Sequence, residues 1–229
     1  MMKIGEEQMY ATGPMTENNI EDAESFKKAR NLAQNLYEGI PYHSFNHIQD
    51  TIESADEIIA KCEESGMKVD NTLVMYSLLF HDAGYHENHK KKGFKTKEGY
   101  SAFLAERELQ SLNISEEDIM KIKKCIISTH RDEEANSVEE KIVRAADLVG
   151  LAGDYKDFKE NAIKLKQEAE MRLGDEISQE EWKKRVRKDV EIYLKQDIRL
   201  TNFYEDENGE SVFHKKTRDN LERFLKEAL

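Results

Sequence analysis

Four side chains of the types that hold divalent metals occur in order along this chain: His47, the adjacent pair His81-Asp82, and Asp147. Each falls in a segment that reads as helix. His81-Asp82 closes an apolar run in LLFHDAGY, and Asp147 sits among apolar neighbours in IVRAADLVGLAG. A lone buried carboxylate is costly, so it needs a partner, a proton or a metal ion. Two imidazoles and two carboxylates converging from separate helices suit a divalent ion (Mn, Co, Ni, Fe, Zn or Mg), with water filling the open positions. Such an ion lowers the pKa of a water and stabilises negative charge developing beside it. Successive helical residues point about 100° apart, so His81 and Asp82 reach one ion only at a helix end or a shallow cleft.

Each residue also has a plainer reading. His81-Asp82 could be a helix C-terminal pair, with the imidazole complementing the dipole. Asp147 could pair with Arg144. His130, four residues beyond Ile126 on a core-facing stripe, could be a satisfied core histidine. Around the four ligand candidates stand further groups. Glu98 could orient or deprotonate a water, or be an exposed acid at a helix start. His43 could reach the cleft as an acid or a phosphate contact, or be a turn residue beside Pro41. His130, with Arg131, could touch substrate, or His130 could hold a second ion. His86 and His89 belong on a loop surface. Lys90, Lys91, Lys92, Lys95 and Lys97 make that loop basic. Composition alone makes them a solvated face, but beside a phosphate site they would draw in the anion, with Lys95 and Lys97 as candidate contacts.

The elements that must position these groups are helices. Periodic apolar stripes predict helices over Glu17–Tyr37, Phe45–Glu64, Thr72–Asp82, Glu98–Gln110, Ser115–His130 and Val138–Leu151. The third is apolar nearly all round, as a central helix is. Ser115 followed by three acids marks an N-terminus. Beyond Gly153 the stripe Tyr155, Phe158, Ala162, Leu165, Ala169 continues the helical pattern. It is followed by Trp182, Val186, Val190 and Tyr193, a turn near Gly209 and a last short helix. No strand set, internal repeat or linker is legible. The expected fold is all-α, with residues 1–16 flexible and 17–229 a single helical domain.

Composition agrees. Of 229 residues only 2 are Pro and 11 Gly, against 36% charged, a mixture that favours helices. The net charge of -12 argues against general nucleic-acid binding. It leaves room for a small phosphorylated substrate at a local basic patch. The only cysteines, Cys62 and Cys125, are isolated thiols that suit a reducing compartment. No apolar run is long enough to cross a membrane, and the first residues lack a signal peptide's apolar centre. The expected location is cytoplasmic. Oligomeric state is not legible.

The ordered set His47, His81-Asp82, Asp147 resembles the HD superfamily of metal-dependent phosphohydrolases, whose signature is His…His-Asp…Asp. YHSFNH is similar to that family's Tyr-His-x-x-x-His opening, and FHDAGY to its Phe-His-Asp-x-x-Tyr. ISTHR and AADLVGLAG resemble its later helices. The likeness spans Tyr42 to Gly153. It implies an HD-type helical bundle with a motif core over 42–153 and additional C-terminal helices over 154–229. It also implies one divalent ion on His47, His81, Asp82 and Asp147. Hydrolysis of a nucleotide or other small phosphorylated metabolite would be by metal-activated water, with Asp82, Glu98 and His43 as the catalytic candidates. One subgroup carries Asn-Glu-x-x-Ser-Ala after the loop. Here Glu98, Ser101 and Ala102 match and Lys97 stands in place of Asn. Two other functions use the same fold: a regulatory metal- or nucleotide-binding protein with little turnover, and a di-iron oxygenase with His86 or His130 on a second ion.

Overall fold

The computed structural model describes residues 17–198 and 205–227, and the side chains of 23–198 and 205–227. The expected flexible segment 1–16 lies outside the described residues. Among those described, the chain forms nine α-helices: α1 (Glu17–Gln34), α2 (Phe45–Glu64), α3 (Asn71–Phe80), α4 (Lys97–Ser111), α5 (Glu116–Ser128), α6 (Val138–Asp147), α7 (Tyr155–Leu173), α8 (Gln179–Tyr193) and α9 (Val212–Lys226). A single 3-10 turn, Val149–Leu151, follows α6. The one extended contact is an isolated antiparallel bridge between Glu205 and Ser211. The protein is all-α, as expected. No helix among the described residues is long and apolar enough to cross a membrane, and Cys62 and Cys125 are both buried free thiols.

Helix α3 is the axis of the larger core. Every residue from Leu73 to Phe80 is buried. Only a helix surrounded on all sides can carry such a run. It packs against α1, α2, α4, α5 and α6. At roughly 1.5–3 kcal/mol for each fully buried large apolar side chain, this anchor leaves little freedom at its C-terminal end. A second, smaller core joins Phe158, Trp182, Val186, Val190, Leu221 and Phe224 from α7, α8 and α9.

Short polar caps set the helix starts. The Asp70, Thr96, Ser115, Ser137 and Ser178 side chains each accept a backbone N–H of the following turn. Each such cap contributes about 1 kcal/mol.

Several helix ends differ from expectation. α1 stops at Gln34 rather than Tyr37. The released turn lets the Leu36 carbonyl accept the Gly84 N–H at 3.0 Å, while the Tyr37 hydroxyl donates to the Leu79 carbonyl at 2.9 Å. α3 stops at Phe80, so His81 is its C-cap and Asp82 lies in the turn beyond. α6 ends at Asp147 and the chain tightens into the 3-10 turn. Lys97 is not in the loop but opens α4.

Gly84 is the one glycine the site cannot lose. Its φ of +69° is left-handed, and a Cβ there would lie 2.6 Å from Leu104 Cδ1 and 2.8 Å from Tyr100 Cε1. Both the backbone angle and the available space exclude a side chain. The Ser101 hydroxyl donates to the neighbouring Ala83 carbonyl at 2.9 Å. The turn after His81-Asp82 is thereby tied to α1 and α4.

Candidate metal centre

α2, α3 and α6 pack against one another pairwise, which brings three helix termini together. His47 comes from the first turn of α2, His81 and Asp82 from the end of α3, and Asp147 from the last position of α6. One donor atom from each of the four side chains lies within 4.8 Å of all the others. His81 Nε2 is 3.2 Å from Asp82 Oδ2 and 3.4 Å from Asp147 Oδ1. His47 Nε2 is 3.6 Å and 3.4 Å from the same two oxygens. Donor atoms about 3.0–3.4 Å apart are what surround an ion with bonds of about 2.0–2.1 Å.

The polar atoms themselves argue the same way. His47 Nε2, His81 Nε2 and Asp82 Oδ2 are buried and have no hydrogen-bond partner. Buried polar atoms are almost always paired, so three orphans aimed at one point mark a place for a ligand. The His81 tautomer suits that role. Its Nδ1 lies 2.7 Å from the Leu78 carbonyl, and a carbonyl only accepts, so Nδ1 carries the hydrogen. Nε2 then offers its lone pair to the cluster, the second-shell arrangement typical of ligating histidines.

Electrostatics tighten the group. Burial would push the His81 imidazole down, but the Asp82 and Asp147 carboxylates outweigh it and hold it well above its ordinary value. Burial would raise both carboxylates, yet His81 and His43 draw Asp82 down to about 2. His47 and His81 hold Asp147 well below the usual range. His81 Nε2 therefore faces a field of two anions that favours a cation beside it.

Arg144 is not the partner of Asp147. Its Nε donates to the Ser128 carbonyl at 2.8 Å. Its Nη2 donates to the carbonyls of Ser128, His130 and Glu133. A buried guanidinium thus satisfies the free carbonyls past the end of α5, and the ion-pair reading of Asp147 fails.

The remaining candidates divide. Glu98, in the first turn of α4, is raised above the usual carboxylate range by burial. It feels His130, Asp82 and Asp147. His130 lies beyond the end of α5 rather than on its core stripe. It is half-buried, with the Asp132 N–H on its Nδ1 at 3.3 Å. Arg131 is exposed and pairs with Asp189 at 2.9 Å. Lys95 is exposed, and Lys92 pairs with Glu87. His86 is exposed, and neither His86 nor His130 belongs to the group of four donors.

His43 is buried and closed on a residue that the sequence did not single out. Its Nδ1 is 2.6 Å from Glu168 Oε2, and Glu168 Oε1 accepts the Tyr42 and His43 N–H groups at 2.6 and 2.8 Å. His43 also stacks on Tyr85, with ring centroids 3.4 Å apart. On the other side of this assembly, Lys97 Nζ lies 2.9 Å from the Tyr85 centroid. Glu168 and Arg172 border the site and escaped the sequence reading, while Tyr85 stood there only as the end of FHDAGY and Tyr193 only as a stripe residue. Glu168 had one signal: it adjoins Leu165 and Ala169 on an otherwise apolar stripe, where a carboxylate needs a reason.

The fold and site define an all-helical protein with a His2Asp2 cluster able to hold a metal ion. No protein-family model matches the chain, and no curated protein sequence matches it.

Proposed function

We propose that this chain is an HD-type metal-dependent phosphohydrolase, acting on a nucleotide or another small phosphorylated metabolite. One observation carries the reading: the His47, His81, Asp82 and Asp147 donor atoms converge, and three of them are buried without a partner. Their order along the chain is that of the HD signature. In this reading 42–153 is the motif core and 154–229 its extension, within one helical domain.

A divalent ion held by the four side chains would polarise a phosphoryl oxygen and lower the pKa of a water beside it. The chain's own groups do the rest. Asp82 has a second carboxylate oxygen with which to orient that water. Glu98, half-buried and raised above the usual carboxylate range by burial, could take a proton from it. His43 is held by Glu168 through Nδ1, which leaves Nε2 as the atom that could give a proton to the leaving oxygen. The water oxygen bonds to phosphorus, the ester or anhydride P–O bond breaks, and no covalent enzyme intermediate forms.

The test is a screen of protein loaded with Mn, Co, Ni or Zn against nucleotides and phosphate esters, reading phosphate and pyrophosphate separately. Metal-dependent release is expected, with about one ion per chain by elemental analysis. One ion per chain without turnover would select the regulatory reading. Protein that takes up no metal would end both.

A further inference from the structure

Lys97 departs from the Asn of the resembled pattern, and its ammonium is held in an unusual way. Its Nζ is buried and has no hydrogen-bond acceptor. It sits over the face of Tyr85, 2.9 Å from the ring centroid. Arg172, reaching from α7, sets its guanidinium 5.7 Å from the same centroid. His89 is half-buried and feels the charge of Lys97, Lys90 and Arg172. The carboxylates that act on Lys97 are Asp82, Glu168 and Glu98, all from a distance, while Arg172 repels it. Asp82 is committed to the four-donor cluster, and Glu168 is committed to His43.

A buried cation stripped of water needs an acceptor. A π face only partly meets that need. Arg172 is exposed and brings a second positive charge to the same ring from the solvent side. The position is also specific. Tyr85 stacks by its other face on His43, whose ring lies 6.2 Å from that of His47. The basic group therefore flanks the His/Asp cluster without belonging to it.

We propose that Lys97 and Arg172, which converge on the Tyr85 ring from α4 and α7, form a second anion subsite for a phosphoryl group other than the one that reacts, so that the preferred substrate carries two or more phosphoryl groups. An ammonium and a guanidinium fork approaching from different elements suit a phosphoryl group, whose several oxygens can meet both. This rests on the His/Asp cluster being the reacting centre, but the subsite can be tested apart from it.

The first arm uses metal-depleted protein and inorganic phosphate or pyrophosphate, followed by calorimetry. Wild-type protein should bind pyrophosphate, and Lys97→Met and Arg172→Met should each weaken it about tenfold or more. Lys97→Arg should restore much of the loss. Thermal melts give a second readout. Removing a buried, unpaired charge should leave Lys97→Met as stable as wild type or more so. If Lys97 is instead a structural brace on Tyr85, Lys97→Met will melt lower and bind pyrophosphate as wild type does, which overturns the proposal.

The second arm uses metal-loaded protein. Lys97→Met should raise KM for a nucleoside di- or triphosphate about tenfold, leave a monophosphate ester unchanged and keep full metal content. Equal losses for mono- and polyphosphates would refute the second subsite, and binding of free phosphate with no such selectivity would assign it to product instead. Loss of turnover on every substrate in wild type, with pyrophosphate binding intact, would remove the phosphohydrolase reading and leave the subsite standing.

Discussion

Two imidazole–carboxylate groups lie side by side in this molecule. His43 and Glu168 are closed on each other. One carboxylate accepts two backbone N–H groups and faces an imidazole Nδ1, with no contact longer than 2.8 Å. The His47, His81, Asp82 and Asp147 group is open. Its nitrogens and oxygens stand 3.2 to 3.6 Å apart, and three of its atoms have no partner. Both groups are largely buried, and both pair imidazoles with carboxylates. The contrast teaches that satisfaction of the polar atoms, rather than residue type or depth, separates a group that holds the fold from one that awaits a ligand. The two also differ in origin. The open group comes wholly from α2, α3 and α6, whereas the closed one ties the segment before α2 to α7.

Asp82→Ala should produce the largest effect. Losing a ligand should lower metal affinity and turnover by more than the roughly 10–100-fold that loss of an outer partner costs. The metal-free variant should still fold. Elemental analysis, phosphate release and a melt check this together. Full metal content at the wild-type rate would return His81-Asp82 to a plain helix-end pair.

Glu168→Ala attacks the closed group, and the effect should fall on stability. Removing one member of a buried pair costs about 3–5 kcal/mol, while metal stoichiometry should not change. The pH dependence follows from the direction of the shift. Burial would raise Glu168, but the hydrogen bonds from His43 and the Tyr42 backbone lower it. A carboxyl depressed in the folded state stabilises fully above its unfolded pKa of about 4.3, and that contribution is lost as pH falls through the folded value. Denaturant melts of wild type and Glu168→Gln should therefore converge below about pH 4. A gap that stays constant down to acid would show that the carboxylate's charge is not what holds the turn.

Arg144→Met should cost about 1–3 kcal/mol, because it strips acceptor carbonyls past α5 of their donor. Metal affinity should stay within a few-fold of wild type. A large loss of metal would instead make Arg144 a partner of Asp147 after all. The smallest effect belongs to the exposed lysines. Reversing Lys90, Lys91 and Lys95 to Glu should lower kcat/KM several-fold at low salt and much less at high salt, since exposed charges are screened over about 8–10 Å. Steady-state kinetics at two ionic strengths would show it, and salt-independent kinetics would remove the patch from substrate capture.

Much of this was legible along the chain. The apolar run of α3, the stripes of α2 and α5 and the scarcity of Pro and Gly follow from local composition and period. An all-α fold requires little more. The four donors were legible for a chemical reason: few residue types can ligate a divalent ion, and apolar neighbours make each of them conspicuous. Helix ends were less so. α1 stops short of Tyr37 because Leu36 and Tyr37 are needed by Gly84 and Leu79, residues far along the chain.

The pairing of buried groups was not legible at all. Period assigns a residue to a face but does not say what lies opposite. Arg144 was readable as the neighbour of Asp147, yet its guanidinium turns to the carbonyls after α5. Lys97 read as a loop lysine and a candidate phosphate contact, yet the first turn of α4 puts its ammonium on Tyr85. Glu168 is 125 residues from the His43 nitrogen it holds. Local pattern specified the helices and the chemistry they carry. The contacts that join α7 to the segment before α2, and α2, α3 and α6 to one another, are long-range, and they chose which polar atoms are satisfied and which are left facing a common point.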